Sequence, residues 1–141
     1  MPRLFCTFIL LLSLAPVTVA AASGGGTACV VAKRQGNSLA IEWVVGEASV
    51  SSAIARASQA LRRRGYDYIF PQANSNLAHG WMVVIETEYR TYTGRSRTSY
   101  GCGFSASSEE QAEQLAVQDL RSYSWGWKPK YGYQVKEKRR F

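Results

Sequence analysis

The chain has 141 residues, a formal net charge of +7 at pH 7 and a hydrophobic share of 46% that includes four Trp. This length corresponds to about one domain and is too short for a barrel enzyme or for a dinucleotide-binding domain with a second lobe. The apolar content excludes a chain that is disordered throughout.

Residues 1–20 have the pattern of a secretory signal peptide. Arg3 supplies the initial positive charge, residues 4–14 are almost wholly apolar, and small residues follow. The apolar run is too short to cross a hydrocarbon core of about 30 Å as a helix. We therefore expect a secreted or periplasmic protein, cleaved after Ala20 or up to two residues later, with residues 21–28 as a flexible leader. An uncleaved anchor is the alternative.

Two cysteines remain after such cleavage, because Cys6 lies inside the signal peptide. In an exported chain, Cys29 and Cys102 predict one disulfide, and two separate thiols are the alternative. The chain has no Cys-x-x-Cys pair, so it lacks the spacing typical of zinc sites. The sequence therefore predicts a disulfide and no metal.

The first half of the mature chain predicts a hairpin followed by a helix. Residues 29–32 and 39–45 read as two strands, with Gly36 in the turn between them. A helix is predicted from Ser49 to its C-cap at Gly65. Its apolar stripe is narrow and consists of Ala53, Ala57, Ala60 and Leu61. Residues 66–70 then alternate as a short strand, and the proline that follows them is expected to end it.

The second half repeats this pattern. A shift of 59 residues aligns the apolar stripes of two helices, Ala53, Ala57 and Leu61 with Ala112, Ala116 and Leu120. The same shift aligns Tyr66 and Tyr68 with Trp125 and Trp127, and a shift of 58 aligns Gly36 with Gly94. Two units of the same ββα order are therefore predicted, and chance similarity is the alternative.

The strands and the helix of the second unit have clearer sequence signals than those of the first. Residues 81–93 alternate as a long strand, residues 96–103 return, and residues 107–110 (Ser-Ser-Glu-Glu) form a capping box for a helix. That helix has a predicted apolar stripe of Ala112, Leu115, Ala116 and Leu120. Residues 131–135 are predicted as a last strand.

Together these elements predict an α+β fold, with an antiparallel sheet built from two hairpin–helix (ββα) repeats and both helices packed on one face. The domain is expected to cover residues 29–135, with repeats at 29–70 and 80–135. Residues 136–141 are expected to form a basic tail.

A resemblance to a known family rests on Gly80-Trp81, on Trp125-Gly126-Trp127 and on the two Ala-rich helices. The duplicated pattern resembles a family of small secreted bacterial proteins known only as a domain of unknown function. That resemblance implies an exported α+β domain and supplies no active site.

Residues 83–120 look like the last part of a double-stranded-RNA-binding domain, which contacts phosphates through lysines at the start of its helix. Here that position holds Ser107, Ser108, Glu109 and Glu110. Because the two carboxylates would repel phosphate, nucleic acid is not expected as a partner.

Residues that could support catalysis are few. His79 is the only histidine and lies in a predicted loop, where a surface role is expected. Glu86 and Glu88 share one strand face about 7 Å apart, a spacing at which carboxylates can act as acid and base. An ordinary solvated strand face beside Arg90 explains the same pattern. We therefore predict no enzyme and no cofactor, and keep a small secreted enzyme or toxin as an alternative.

The C-terminal stretch combines aromatic and basic side chains, which suits a polyanionic partner. The predicted binding residues are Trp125, Trp127, Lys128, Lys130, Tyr131, Tyr133, Lys136, Lys138, Arg139 and Arg140. The alternative is that these aromatic residues fill the core. The sequence thus predicts an exported non-enzymatic binding module for an acidic protein or an anionic envelope polymer. An inhibitor or immunity protein against a cell-wall-active toxin is a further alternative.

Overall fold

A computed structural model describes residues 24–141, so the predicted signal peptide lies outside the described residues. The strands in chain order are β1 (Gly26–Arg34), β2 (Asn37–Glu47), β3 (Ile69–Ser75), β4 (Trp81–Arg90), β5 (Ser96–Ser105) and β6 (Gln134–Arg140). The helices are α1 (Val50–Arg63), between β2 and β3, and α2 (Glu109–Tyr123), between β5 and β6. A short 3₁₀ helix, Pro129–Tyr131, precedes β6.

The strands form two antiparallel sheets of three strands each, with orders β2-β1-β3 and β5-β4-β6. Each half of the chain therefore runs strand, strand, helix, strand, and its last strand pairs with the free edge of its first. The α+β class and the hairpin–helix arrangement are confirmed. The prediction of one sheet is corrected to two.

The fold has four layers, and their order follows from the central strands, where successive side chains lie on opposite faces of each sheet. In β1, Val30 packs against Leu61 of α1, whereas Val31 packs against Val84 in the second sheet. In β4 the neighbouring residue, Val83, packs under α2. The two sheets therefore face each other, and each helix covers the outer face of its own sheet.

This arrangement corrects the prediction that both helices pack on one face. The central strands β1 and β4 are buried on both sides, so each sheet needs a cover on its outer face as well as its inner one. The pattern of β1 is almost continuously apolar, and a single helix layer would leave half of those side chains in water.

Three predicted boundaries change for local physical reasons. The leader ends earlier than residue 28, because β1 begins at Gly26 and Thr27 is fully buried. The aromatic strand predicted at 66–70 begins at Ile69 and continues through Pro71 to Ser75. A proline is tolerated there because β3 lies at the edge of its sheet, where one N–H is not needed for pairing.

The C-terminal residues are also placed differently. The predicted tail at 136–141 and the predicted strand at 131–135 are replaced by β6, which pairs with β4 from Glu86 to Trp81. Phe141 then exchanges two backbone hydrogen bonds with Gly80. The end of the chain is therefore part of the second sheet.

The predicted helix starts are confirmed. The hydroxyls of Ser49 and Ser108 accept hydrogen bonds from the backbone N–H groups of Ser52 and Gln111, each at 3.1 Å. The stripe of α2 differs in one residue from the prediction, since Leu115 is 36% exposed. Both helices therefore meet their sheets mainly through alanine and one leucine.

The predicted disulfide between Cys29 and Cys102 is also present, with Cα atoms 6.4 Å apart. It joins the central strand of the first sheet to an edge strand of the second. Both cysteines are buried in the apolar layer between the sheets. The bridge therefore ties the two repeats together from the inside.

Candidate binding surface

The predicted C-terminal aromatic residues do not lie together on one exposed surface. Trp127 is buried under α2, and its indole N–H donates to the Thr87 hydroxyl and to the Gly132 carbonyl, both at 3.1 Å. Tyr131 packs against the same apolar cluster. Trp125, in contrast, is 91% exposed. Of the two tryptophans, Trp125 alone is free to meet a ligand.

Two of the four cations of β6 form ion pairs with carboxylates on neighbouring elements. The Lys136 ammonium lies 3.0 Å from the Glu86 carboxylate, and Lys138 lies 2.8 Å from Glu109 and 3.3 Å from Glu113. The hydrogen bonds to Glu109 and Glu113 raise the pKa of Lys138 above its usual value.

The other predicted binding residues of β6, and Tyr133 just before it, also contact side chains of the protein itself. Arg139 pairs with Glu137 at 3.8 Å, and the Arg140 guanidinium lies over the Trp81 ring at 5.4 Å. The Tyr133 hydroxyl donates to Glu113 at 2.9 Å. The structure therefore does not present residues 133–140 as an open basic surface.

Trp125 lines a groove of about 270 Å³ at one end of the second sheet. Tyr92, which is fully exposed, lies in the turn between β4 and β5 and lines the same groove. Arg90, Lys128 and Lys130 line the same groove. We call it the Trp125 groove, and it places aromatic faces next to positive charge.

Two backbone turns build the Trp125 groove. The Trp127 N–H donates to the Ser124 carbonyl at 2.8 Å, which puts Trp125 at the apex of a tight turn. In the β4–β5 turn, the N–H of Thr91 donates to the Arg95 carbonyl at 2.9 Å. Because Trp127 is fixed in the core, the exposed Trp125 is held at a defined position.

The first repeat has a groove at the corresponding place. It has a volume of about 690 Å³ and lies between the β1–β2 turn and the segment that joins α1 to β3. Tyr68, which is 79% exposed, and Tyr66 line it together with Lys33, Arg34 and Asp67. We call it the Tyr68 groove.

A third groove, of about 270 Å³, lies between the turns of the two hairpins and is lined by Arg34, Arg95 and Arg97. The Arg97 guanidinium donates to the Gln35 carbonyl, and the Thr98 N–H donates to the Asn37 side chain at 2.7 Å. These bonds hold the two turns side by side. We call the three grooves together the hairpin-end surface.

The hairpin-end surface is strongly positive. Its charged lining residues are one acid, Asp67, and seven bases, Lys33, Arg34, Arg90, Arg95, Arg97, Lys128 and Lys130. Within the part of the chain that the structure describes, none of these seven forms an ion pair with a carboxylate. Seven bases against one acid give this end a net positive charge.

The residues predicted from the sequence include Lys128, Lys130 and Trp125 of this surface but not the cations on the hairpins. A signal was present, because both glycine turns are flanked by bases: Arg34 precedes Gly36, and Arg95 and Arg97 follow Gly94. The sequence does not indicate, however, that the two turns lie beside each other.

A buried carboxylate lies behind this surface, where the two repeats meet. Asp119 of α2 accepts hydrogen bonds from the Gln72 side chain at 2.8 Å and from the Cys102 N–H at 2.9 Å. Burial raises the pKa of Asp119 to about 6, against the opposing effects of these hydrogen bonds and of Lys33. Burial likewise lowers the pKa of Lys33.

Replacing Asp119 by asparagine is therefore expected to stabilise the protein at neutral pH. A carboxyl whose pKa is raised on folding favours the folded state below pH 4 and loses that contribution as pH rises toward 6. The shift corresponds to about 3 kcal/mol at pH 7, which Asp119→Asn should recover.

Urea unfolding of the wild type and of Asp119→Asn at pH 4, 5, 6 and about 7 measures the difference. The gap in the free energy of unfolding should narrow as pH falls. A variant less stable than the wild type at neutral pH would show that the carboxylate's hydrogen bonds outweigh its desolvation.

The candidate catalytic residues are not assembled into one site. Glu86 and Glu88 line a polar groove of about 540 Å³ with Tyr133, and Glu86 is paired with Lys136. His79 precedes the start of β4, and five strand residues separate that start from Glu86, about 17 Å at the rise of a strand. The three residues are therefore too far apart to act on one substrate group.

Comparison of the chain with family models, with curated proteins and with solved structures yields no match. The resemblance to a small secreted domain family stays a prediction. Within residues 24–141, no helix is both long and apolar enough to cross a membrane, and no three His, Cys, Asp or Glu residues are grouped to bind a metal ion.

Proposed function

We propose that this protein is an exported, non-enzymatic binding module whose hairpin-end surface holds an acidic polysaccharide. The observation that carries the proposal is the pairing of exposed aromatic rings with seven cations that form no ion pair with a carboxylate within residues 24–141. Aromatic rings offer flat apolar faces on which sugar rings stack, and guanidinium and ammonium groups bind carboxylates.

Export is part of the proposal. The disulfide supports it, because such bridges form and persist in oxidising compartments outside the cytosol. The predicted signal peptide at residues 1–20 supports it independently. We propose that the mature chain, from Ala21, acts among the polymers of the cell envelope or outside the cell.

The shape of the surface favours a polymer over a folded acidic protein. The Tyr68 groove shares Arg34, Gln35 and Leu39 with the third groove, and the third groove and the Trp125 groove are lined by different arms of the same β4–β5 turn. Three open grooves in succession suit an extended chain. A folded partner is expected to use a continuous apolar centre within a polar rim, whereas here aromatic rings alternate with cations.

The test is a calorimetric titration of the mature chain with polygalacturonate, an acidic polysaccharide, at low and high salt. We expect binding at low salt that weakens as salt rises, because the cations release counterions from the polymer. Replacing both Arg95 and Lys128 by alanine should weaken binding about tenfold or more, since hydrogen bonds to charged groups are individually strong.

The matched control replaces Lys136 and Lys138 by alanine, which removes the same charge from β6. Both lysines are already ion-paired with carboxylates of this chain. Exposed ion pairs contribute little to folding stability, so this variant should fold and should bind within about twofold of the wild type. Equal weakening in both variants would reduce the effect to net charge and contradict the proposed surface. If polygalacturonate does not bind, and a crosslinking pull-down from an envelope extract retains one folded protein at high salt, the inhibitor alternative is favoured.

A further inference from the structure

We infer that the two repeats form a bivalent site, in which one acidic chain occupies the Tyr68 groove and the Trp125 groove at the same time. This inference rests on the proposed function and deepens it, because it predicts that the ligand is long enough to reach both grooves. It is carried by the equivalence of the two grooves and by the rigid connection between them.

The two grooves occupy the same place in the repeated topology. Each lies between the turn of its hairpin and the segment that joins its helix to its last strand. Both repeats have the strand order in which the first strand is central. Each repeat therefore presents a groove at the same place in its topology.

The chemistry of the two grooves is also equivalent. Each has one strongly exposed aromatic side chain in the helix–strand segment, Tyr68 at 79% and Trp125 at 91%. Each has an arginine as the last residue of its central strand, Arg34 in β1 and Arg90 in β4. Each groove can therefore stack one ring and bind one carboxylate.

The connection between the grooves is rigid and positive. The bond from the Arg97 guanidinium to the Gln35 carbonyl and the disulfide both fix the first hairpin to β5. Arg34, Arg95 and Arg97 line the third groove, which shares Arg34 with the Tyr68 groove and meets the β4–β5 turn that also lines the Trp125 groove. When one groove is occupied, the neighbouring part of the chain is held near the other, so the second contact forms at a high effective concentration.

The test compares digalacturonate with long polygalacturonate in calorimetric titrations. Two variants each disable one groove: Tyr68→Ala with Arg34→Ala, and Trp125→Ala with Lys128→Ala. All four side chains are exposed, so the fold should be retained, and circular dichroism checks this for both variants. The control is again Lys136→Ala with Lys138→Ala.

We expect the wild type to bind two equivalents of digalacturonate and each groove variant to bind one. For the long polymer, either groove variant should lose about 100-fold in affinity, because loss of one contact removes the avidity. The control should change neither quantity.

Two results would overturn the inference. If the wild type binds one equivalent of digalacturonate and the Tyr68 groove variant keeps full affinity for the polymer, the bivalent site is wrong while the proposed function stands. If the wild type binds neither probe at low salt, the proposed function fails and the inference fails with it.

Discussion

Replacing both Cys29 and Cys102 by alanine is expected to lower the free energy of unfolding by about 4 kcal/mol. The bridge closes a loop of 73 residues, and a cross-link of that span removes much of the conformational entropy of the unfolded chain. A domain of this size is stabilised by only about 5–15 kcal/mol in total. The variant should therefore lose a large part of its stability.

The measurement is urea unfolding of the variant beside oxidised and reduced wild type. Reduced wild type keeps both sulfur atoms in the layer between the sheets. The difference in the free energy of unfolding between reduced wild type and the variant therefore measures the packing lost with the two thiol groups. A loss below about 1 kcal/mol on reduction would contradict the entropic argument and show that the two repeats hold together without the bridge.

The second large effect is expected from Gly103→Ala. A Cβ atom at Gly103 would lie 2.0 Å from the Ala112 carbonyl oxygen and 2.5 Å from the Ala116 backbone nitrogen. Gly101, two residues earlier on the same face of β5, is equally close to α2, with 2.1 Å to the Ala116 carbonyl oxygen. The helix backbone therefore rests directly on the strand, and a methyl group has no room.

Because backbone atoms cannot turn aside as a flexible side chain does, α2 must move away from β5. That movement also loosens Leu120 and the carboxylate of Asp119, both of which α2 holds against the sheet. We expect a loss of about 3 kcal/mol or more, at the upper end of the effects of overpacking.

Gly24→Ala is the matched control, since a Cβ there meets no atom within 4 Å and the change in the unfolded chain is the same. Thermal unfolding followed by circular dichroism compares the two variants. If Gly103→Ala is as stable as Gly24→Ala, α2 does not lie as close to β5 as described.

The sequence by itself determined the local elements and the duplication. Turn glycines, serine caps and apolar stripes are short-range signals, so both hairpins, both helix starts and the α+β class were predictable from neighbouring residues. The disulfide was predictable for a different reason, because the predicted cleavage would remove Cys6 and leave two cysteines to pair.

The tertiary structure alone decided how the elements combine. The alternation of β1 and β4 does not say which face meets a helix and which meets another sheet, and pairing of β6 with β4 depends on residues about fifty positions apart. The proposed binding surface depends on the same long-range contacts. The C-terminal cations became paired with Glu86, Glu109 and Glu113, while packing of the first hairpin against β5 brought Arg34 beside Arg95 and Arg97. Charge is a property of the sequence, but its neutralisation depends on which side chains the fold brings together.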